Sequence, residues 1–191
     1  MLLFVALLSL VLLAVLIAGV VGALLPKTRT ATAGIEIAGV TARSLAAIED
    51  VQRYPSWMPG VASLRSEEAG WAEAGPAGQW SVGRTVDPTS ERSGGGVGAT
   101  DLTRVTDVLR AESGASMRRV WTLRPHGNYT RVELSTEREL SNPFARFGAR
   151  YVQARSAAEI AVLQALARHL GERATAVVVP RDQASSATSS S

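Results

Sequence analysis

The chain has 191 residues and a net charge of +3 at pH 7, from 20 lysine plus arginine residues and 17 aspartate plus glutamate residues. It contains no cysteine, which excludes a disulfide framework and a thiolate metal site. The arginines are scattered among acidic residues and form no basic stripe with interleaved aromatics, so the sequence argues against nucleic-acid binding.

The segment 1–25 is apolar throughout and is followed by Pro26 and Lys27. A bilayer core needs about 20 apolar residues in a helix, so we predict a single transmembrane anchor over residues 1–25. The alternative is a cleaved secretory signal, but no basic region precedes the run, and the run is longer than a signal requires. Lys27, Arg29 and Arg43 follow it, which favours a single-pass protein of the cell membrane with its soluble domain on the cytoplasmic side.

The rest of the chain divides into three parts. We predict a juxtamembrane linker over residues 26–31, one domain over residues 32–173 and a disordered tail over residues 174–191. A domain of about 140 residues is long enough to bury a sizeable core. The tail is rich in serine and alanine, and within it the run 176–180 allows one short strand that Pro180 would limit.

The domain opens with a strand, a short helix and a turn. Alternation of apolar and polar residues predicts a strand around Ile35–Ile37. Thr41 is a suitable N-cap for a helix that extends through Asp50. Two prolines and a glycine in the segment 53–60 then predict a tight aromatic turn.

The middle of the domain reads as a run of antiparallel strands. Strands are predicted over residues 61–68, 79–82, 101–109, 117–123 and 129–136. The segment 87–100 holds Pro88 and a glycine run at 94–98, so we interpret it as a flexible loop. A turn is predicted over residues 125–128.

One long amphipathic helix is predicted at the end of the domain. Ser141 is a suitable cap, Pro143 lies in the first turn, and apolar residues recur at three- and four-residue steps up to Gly171. A sheet with one apolar face and one long helix must bury these surfaces against each other. The sequence therefore predicts an α+β domain.

Several short segments occur in a characteristic order. They are Ile35-Glu36-Ile37, Asp50 followed by Tyr54-Pro55 and Trp57, Trp121-Thr122-Leu123 with Pro125, Thr130-Arg131-Val132, Asn142-Pro143-Phe144 and Arg150-Tyr151. In this order the chain resembles the START, or helix-grip (SRPBCC), superfamily in its bacterial polyketide cyclase/dehydrase-like branch. The resemblance implies a curved antiparallel sheet around one long C-terminal helix, with a hydrophobic cavity between them for an apolar small molecule. The family usually has a tryptophan where this chain has Leu45, so the resemblance does not predict the volume of the cavity.

Aromatic residues and one strand provide the candidate binding site. Alternation along residues 117–123 places Arg119 on one face with Trp121. Burying an unpaired arginine is costly, so Arg119 should meet an acid, the cavity mouth or an anionic headgroup, unless it is solvent-exposed with its stem on the apolar surface. We predict ligand contacts from Trp57, Trp80, Met117, Arg119, Trp121, Phe144, Phe147 and Tyr151. Core packing is the alternative for the aromatics, and membrane-interface contact is another for Trp57.

No catalytic residue, metal ligand or cofactor site is predicted. The two histidines lie in a turn and near a helix end, without a third ligand. The acidic pairs Glu67–Glu68 and Asp101–Asp107 are interpreted as solvent-exposed charge. Our leading hypothesis is a membrane-anchored domain that binds a lipid or another hydrophobic small molecule. The alternatives are a cyclase or dehydratase acting on a polyketide or aromatic substrate, and a scaffold domain for a membrane partner.

Overall fold

A computed structural model describes residues 2–91, 100–151, 156–173 and 177–178. Its helices are α1 (Leu2–Leu24), α2 (Thr41–Glu49), α3 (Tyr54–Trp57), α4 (Pro143–Tyr151) and α5 (Ala157–His169). Its strands are β1 (Thr28–Ala38), β2 (Ser63–Glu67), β3 (Gly70–Gly75), β4 (Gly78–Glu91), β5 (Thr100–Ala111), β6 (Ser116–His126), β7 (Tyr129–Glu139) and β8 (Val177–Val178).

The chain forms two compact units. The helical unit comprises Met1–Arg29 and Arg138–Arg155, and the sheet unit comprises Thr30–Glu137 and Ser156–Ser191. The helical unit holds α1 and α4, whereas α2, α3, α5 and most of the sheet belong to the other unit.

The helical unit is built on α1. Within this helix the stretch Ala6–Leu24 is long and apolar enough to cross a membrane. In α4, Pro143 occupies the first helical position as predicted, but the cap is Asn142 rather than Ser141. The Asn142 Oδ1 accepts a hydrogen bond from the Phe144 amide at 2.8 Å, which satisfies one of the free N–H groups at the helix start.

The sheet unit is an antiparallel sheet with helices on one face. Its strand order is β2-β3-β4-β5-β6-β7-β1-β8. Strands that follow one another in the chain from β2 to β7 are neighbours in the sheet, and β1 lies beside β7. The turn between β6 and β7 lies at Gly127, whose φ of 59° is open to glycine without strain, so the predicted turn is confirmed.

An apolar cluster joins the sheet to the helices. Its buried members include Ile35, Ile37, Ile48, Tyr54, Val105, Trp121, Leu123, Val132, Leu134, Leu163 and Leu166. They come from four strands and from α2, α3 and α5, so the inner face of the sheet is packed against helical side chains. This arrangement confirms the predicted α+β class.

The predicted single long C-terminal helix is wrong. Its N-terminal part is α4, which ends at Tyr151, and its C-terminal part is α5, which starts at Ala157. Ser156 has a φ of 60°, a left-handed conformation that a continuing α-helix cannot contain. The Ser156 Oγ also donates to the Thr32 carbonyl at 3.0 Å, which fixes the start of α5 on β1.

The middle strands are longer than predicted. β4 continues to Glu91 and β5 begins at Thr100, so the residues 87–91 that we assigned to a loop are strand. The glycine run at 94–98 lies outside the described residues. The sequence prediction missed β3 entirely. In the predicted tail only Val177–Val178 is described, and this strand pairs with β1.

Candidate functional site

The sheet register aligns three charged residues in one row. Arg84 of β4 lies opposite Asp107 of β5, and Asp107 lies opposite Arg119 of β6. Side chains alternate between faces along a strand, so these residues share a face with the buried Val105 and Trp121. The row is therefore directed towards the core.

Asp107 is the centre of this row and is completely buried. The Arg84 Nε donates to Asp107 Oδ1 at 2.6 Å and the Arg84 Nη2 to Oδ2 at 2.9 Å, a bidentate pair. Burial of Arg84 disfavours its charge, but the hydrogen bond and the negative charge of Asp107 outweigh this and hold the Arg84 pKa above its usual range. The guanidinium is therefore permanently cationic.

Arg84 also ties the helices to the sheet. Its Nη2 donates to the Tyr54 hydroxyl and its Nη1 to the Ile48 carbonyl, both at 2.7 Å. The Tyr54 hydroxyl donates in turn to the Ile48 carbonyl at 2.6 Å. Burial disfavours the phenolate and raises the pKa of Tyr54 to about 12. The Arg84 Cζ lies 4.8 Å from the centre of the Trp71 ring, a cation–π distance.

Arg119 meets acidic residues, one of the environments expected from the sequence. Its Nη1 and Nη2 donate to Glu73 Oε1 and Oε2 at 3.3 and 3.1 Å, and Nη1 lies 3.7 Å from Asp107 Oδ2. The Trp71 Nε1 donates to Glu73 Oε1 at 3.1 Å. The buried Arg119 and the largely buried Arg84 are thus paired with two buried carboxylates, which offsets much of the cost of taking these charges out of water.

Sequence reasoning identified only one member of this network. Asp107 was interpreted as solvent-exposed charge, and that is wrong. Its spacing of two from Val105 and from Leu109 was the signal that it shares their buried face. Glu67 and Glu68 are exposed as interpreted, and the side chain of Asp101 lies outside the described residues.

Two buried indole N–H groups lack a hydrogen-bond partner among the described residues, those of Trp57 and Trp121. Trp121 is fully buried in the apolar cluster that also contains Leu163 and Leu166 of α5. The half-buried Trp57 ring stacks on the His169 ring at 5.7 Å and meets the Tyr54 ring edge-on at 5.2 Å. A buried donor without an acceptor is unfavourable, so both N–H groups are suited to receive an acceptor atom.

The predicted site residues fall into three groups. Trp57 and Trp121 belong to the large apolar cluster, and Arg119 to the ionic network beside it. Trp80 and Met117 pack against a second cluster, formed by Trp71, Val82 and Leu109.

The aromatics Phe144, Phe147 and Tyr151 are instead in the helical unit. The Phe147 and Tyr151 ring centres are 4.9 Å apart. In the described part of the chain, no group of three histidine, cysteine or acidic residues is arranged to hold a metal ion.

Comparison with solved structures identifies the architecture. Norcoclaurine synthase from Thalictrum flavum aligns over 76% of this chain and 95% of its own, with a TM-score of 0.52 and 12% identity. The two-domain ARO/CYC protein StfQ of the steffimycin pathway aligns over 75% of this chain and 52% of its own, with a TM-score of 0.50 and 13% identity. A conserved protein from Geobacillus kaustophilus aligns over 78% of this chain and 99% of its own, with a TM-score of 0.50 and 12% identity.

The sheet unit has the Bet v1/SRPBCC-type fold. No protein family and no curated protein matches the chain by sequence. Identities of this size show the fold alone, because one fold carries many functions. Between β6 and α5 of this chain lie the fully buried side chains of Trp121, Leu163 and Leu166.

Proposed function

We propose that this protein is a membrane-anchored domain whose sheet unit binds a lipid or another hydrophobic small molecule, as a carrier or a sensor. The anchor is α1, whose stretch Ala6–Leu24 has the length and composition of a membrane span. The binding unit is the Bet v1/SRPBCC-type domain. Tethering keeps that domain close to ligands that partition into the bilayer and raises their effective concentration.

The observation that carries the binding proposal is the pair of unpartnered indole N–H groups. Trp57 and Trp121 lie in the apolar cluster between the sheet and α5. Such a cluster favours an apolar ligand by burial, and the two donors would orient one that carries a carbonyl, carboxylate or hydroxyl oxygen. The proposed ligand is therefore an amphiphile with an apolar body and a small number of oxygen acceptors.

The ionic network sets one boundary of the proposed site. Arg119 already has Glu73 and Asp107 as partners, so a single anionic headgroup would have to compete with two carboxylates. Arg119 therefore acts as a positioning residue, which holds β6 and its Trp121 in place across the sheet. Trp80 and Met117 are proposed to border the site from the second apolar cluster.

The test is to identify a ligand on the full-length protein. The protein is isolated in lipid nanodiscs, and organic extracts of it and of empty nanodiscs are compared by mass spectrometry. We expect an enriched apolar compound that is reduced in W57F and W121F, since each variant removes one unpartnered N–H. W71F is the matched control, because its indole N–H is bound to Glu73. No enrichment, or equal loss in all three folded variants, would contradict the proposal.

A second candidate is a cyclase- or dehydratase-like enzyme acting on an aromatic substrate. Norcoclaurine synthase binds dopamine and hydroxybenzaldehyde in one of its solved structures, and StfQ is an ARO/CYC protein of the steffimycin biosynthetic pathway. The buried Tyr54, Arg84 and Asp107 favour this candidate, because functional sites often hold buried titratable groups. However, a Tyr54 pKa of about 12 keeps its hydroxyl protonated at neutral pH, so it can donate a hydrogen bond but is a weak base.

The enzyme candidate is separated from the carrier by following the extracted compound. If the protein is a carrier, incubation with the full-length protein should leave the mass of the purified compound unchanged. A product that forms with the wild-type protein and not in its absence would favour catalysis. If no compound is found by either route, the scaffold alternative becomes the better explanation.

A further inference from the structure

Helix α4 directs Phe144 and Tyr151 outward, holds Phe147 half-buried and directs its first arginine inward. Phe144 and Tyr151 are 51% and 61% exposed, whereas Arg146 and Ala149 are only 9% and 7% exposed. A helix on a water-facing surface normally shows the opposite distribution, with apolar residues inside and charge outside. The exposed surface of α4 is therefore better suited to contact with lipid than to contact with water.

Arg146 is buried because it binds the end of α1. Its Nε donates to the Leu140 carbonyl at 2.8 Å and its Nη2 to the Ser141 carbonyl at 2.7 Å. Its Nη1 lies 3.5, 3.3 and 3.4 Å from the carbonyl oxygens of Gly22, Ala23 and Leu25. The last carbonyls of a helix have no partner within it, and a cation there is favourable, so Arg146 completes the C-terminal end of α1.

The two helices meet at two glycines of α1. A Cβ atom at Gly22 would lie 2.0 Å from the Pro143 carbonyl oxygen, and one at Gly19 would lie 3.3 Å from the Phe144 ring. Gly19 precedes Leu24, the last residue of the span, by five residues, which places the Phe144 ring roughly 7 Å below that end. Interfacial helices insert to a similar depth.

The charged residues of α4 itself are all basic. α4 contains Arg146 and Arg150 and no acidic residue, and Lys27 follows α1 directly. Arg150 and Lys27 are exposed. Basic residues beside a membrane span are attracted to anionic headgroups.

We propose that α4 is an interfacial helix, whose aromatic face of Phe144, Phe147 and Tyr151 inserts into the headgroup–acyl boundary of an anionic bilayer beside the end of α1. The proposal rests on the anchor assigned under the proposed function. It assigns these three aromatics to lipid rather than to the ligand of the sheet unit. The exposure of Phe144 and Tyr151, the contact of the half-buried Phe147 ring with Tyr151 and the position of Phe144 beside Gly19 of α1 support this assignment.

The absence of cysteine allows a direct test in the full-length protein. Single-cysteine variants F144C, Y151C, L16C and S113C are labelled with an environment-sensitive fluorophore and reconstituted into vesicles containing phosphatidylglycerol. Quenching is then compared for nitroxides placed at the headgroup, at a shallow acyl position and at a deep acyl position. L16C reports the middle of α1, and S113C reports the exposed turn between β5 and β6.

We expect blue-shifted emission and strongest quenching by the shallow nitroxide for F144C and Y151C, by the deep nitroxide for L16C, and by neither acyl nitroxide for S113C. If F144C and Y151C behave like S113C while L16C is quenched by the deep nitroxide, the proposal that α4 is interfacial is wrong, whereas the proposal that α1 is an anchor is supported. If L16C also behaves like S113C, the anchor itself is wrong. With R150Q added, quenching of F144C should weaken in anionic vesicles and not in phosphatidylcholine vesicles, and equal quenching in both would refute the preference for anionic lipid.

Discussion

Buried charge is the main feature of this protein at the scale of single residues. Asp107 is fully buried and lies within hydrogen-bond or ion-pair distance of both Arg84 and Arg119. The charge of Asp107 is shared between these two guanidinium groups, and Glu73 supplies the second negative charge beside Arg119. Without the Asp107 carboxylate, the guanidinium groups of Arg84 and Arg119 would face each other across β5. We therefore expect loss of this charge to disrupt the network.

We expect Asp107→Asn to destabilise the sheet unit by about 3–5 kcal/mol, the usual cost of breaking a buried ion pair. The measurement is urea unfolding of the full-length protein in micelles, followed by tryptophan fluorescence. Glu133→Gln is the matched control, because Glu133 pairs with Arg131 at 2.9 Å on a more exposed part of β7. That control should lose no more than about 1 kcal/mol. Similar losses in the two variants would contradict the assigned role of Asp107.

The raised pKa of Tyr54 predicts a loss of stability in alkali. In the unfolded chain Tyr54 loses its proton near pH 10, whereas in the folded chain it keeps the proton until about pH 12. The folded state therefore binds more protons in this interval, and the free energy of unfolding falls as the pH rises through it. Two pKa units correspond to a fall of about 3 kcal/mol.

The measurement is urea unfolding at several pH values between 9 and about 12. Tyr54→Phe should be less stable at pH 9, because it loses the hydrogen bonds to Ile48 and Arg84, and its stability should depend less on pH than that of the wild type. Tyr129→Phe, at an exposed position, is the control. An unchanged alkaline slope in Tyr54→Phe would show that another group causes it.

At the scale of elements, alternation predicted the faces of β6 correctly, although it missed β3. In β6 the inward residues alternate along the strand, and Arg119, Trp121 and Leu123 are all buried as the alternation predicts. The pairing of Arg119 with Glu73 was beyond this reasoning. Glu73 belongs to β3, which is separated from β6 by two strands, and periodicity within one strand contains no information about register between strands.

The C-terminal helices show where helical periodicity in the sequence fails to predict the structure. Apolar residues continue at helical steps on both sides of Ser156, so periodicity alone cannot reveal that α4 and α5 are separate. The interruption depends on the left-handed backbone of Ser156 and its hydrogen bond to Thr32, a contact between residues distant in sequence. Consequently, residues predicted to share one ligand site belong to two units.

The contact between α1 and α4 makes a prediction about two glycines. Gly22→Ala would place a Cβ atom against the Pro143 carbonyl oxygen, so the helices must separate. In Gly148→Ala the new Cβ atom meets nothing within 4 Å, and alanine favours the helix by about 1 kcal/mol. The spread of distances between spin labels at Leu16 and Tyr151 should therefore broaden in Gly22→Ala and stay narrow in Gly148→Ala. Equally narrow distributions would mean that the close approach at Gly22 is not required.

At the scale of the whole molecule, the proposed membrane contacts and the proposed ligand site belong to different units. The helical unit contains the membrane-spanning candidate and the proposed interfacial helix, and the sheet unit contains the proposed ligand site. The chain passes between them near Arg29, near Arg138 and near Arg155.

We predict the side of the membrane that holds the sheet unit from the charges that flank α1. Lys27, Arg29 and Arg43 all follow this helix. Positive charge is retained on the cytoplasmic side, so the sheet unit should lie there. A membrane-impermeant maleimide should therefore label Ser113→Cys in permeabilised cells and leave it unlabelled in intact cells. Labelling in intact cells would place the sheet unit outside, and the flanking charges would then not determine the orientation of α1.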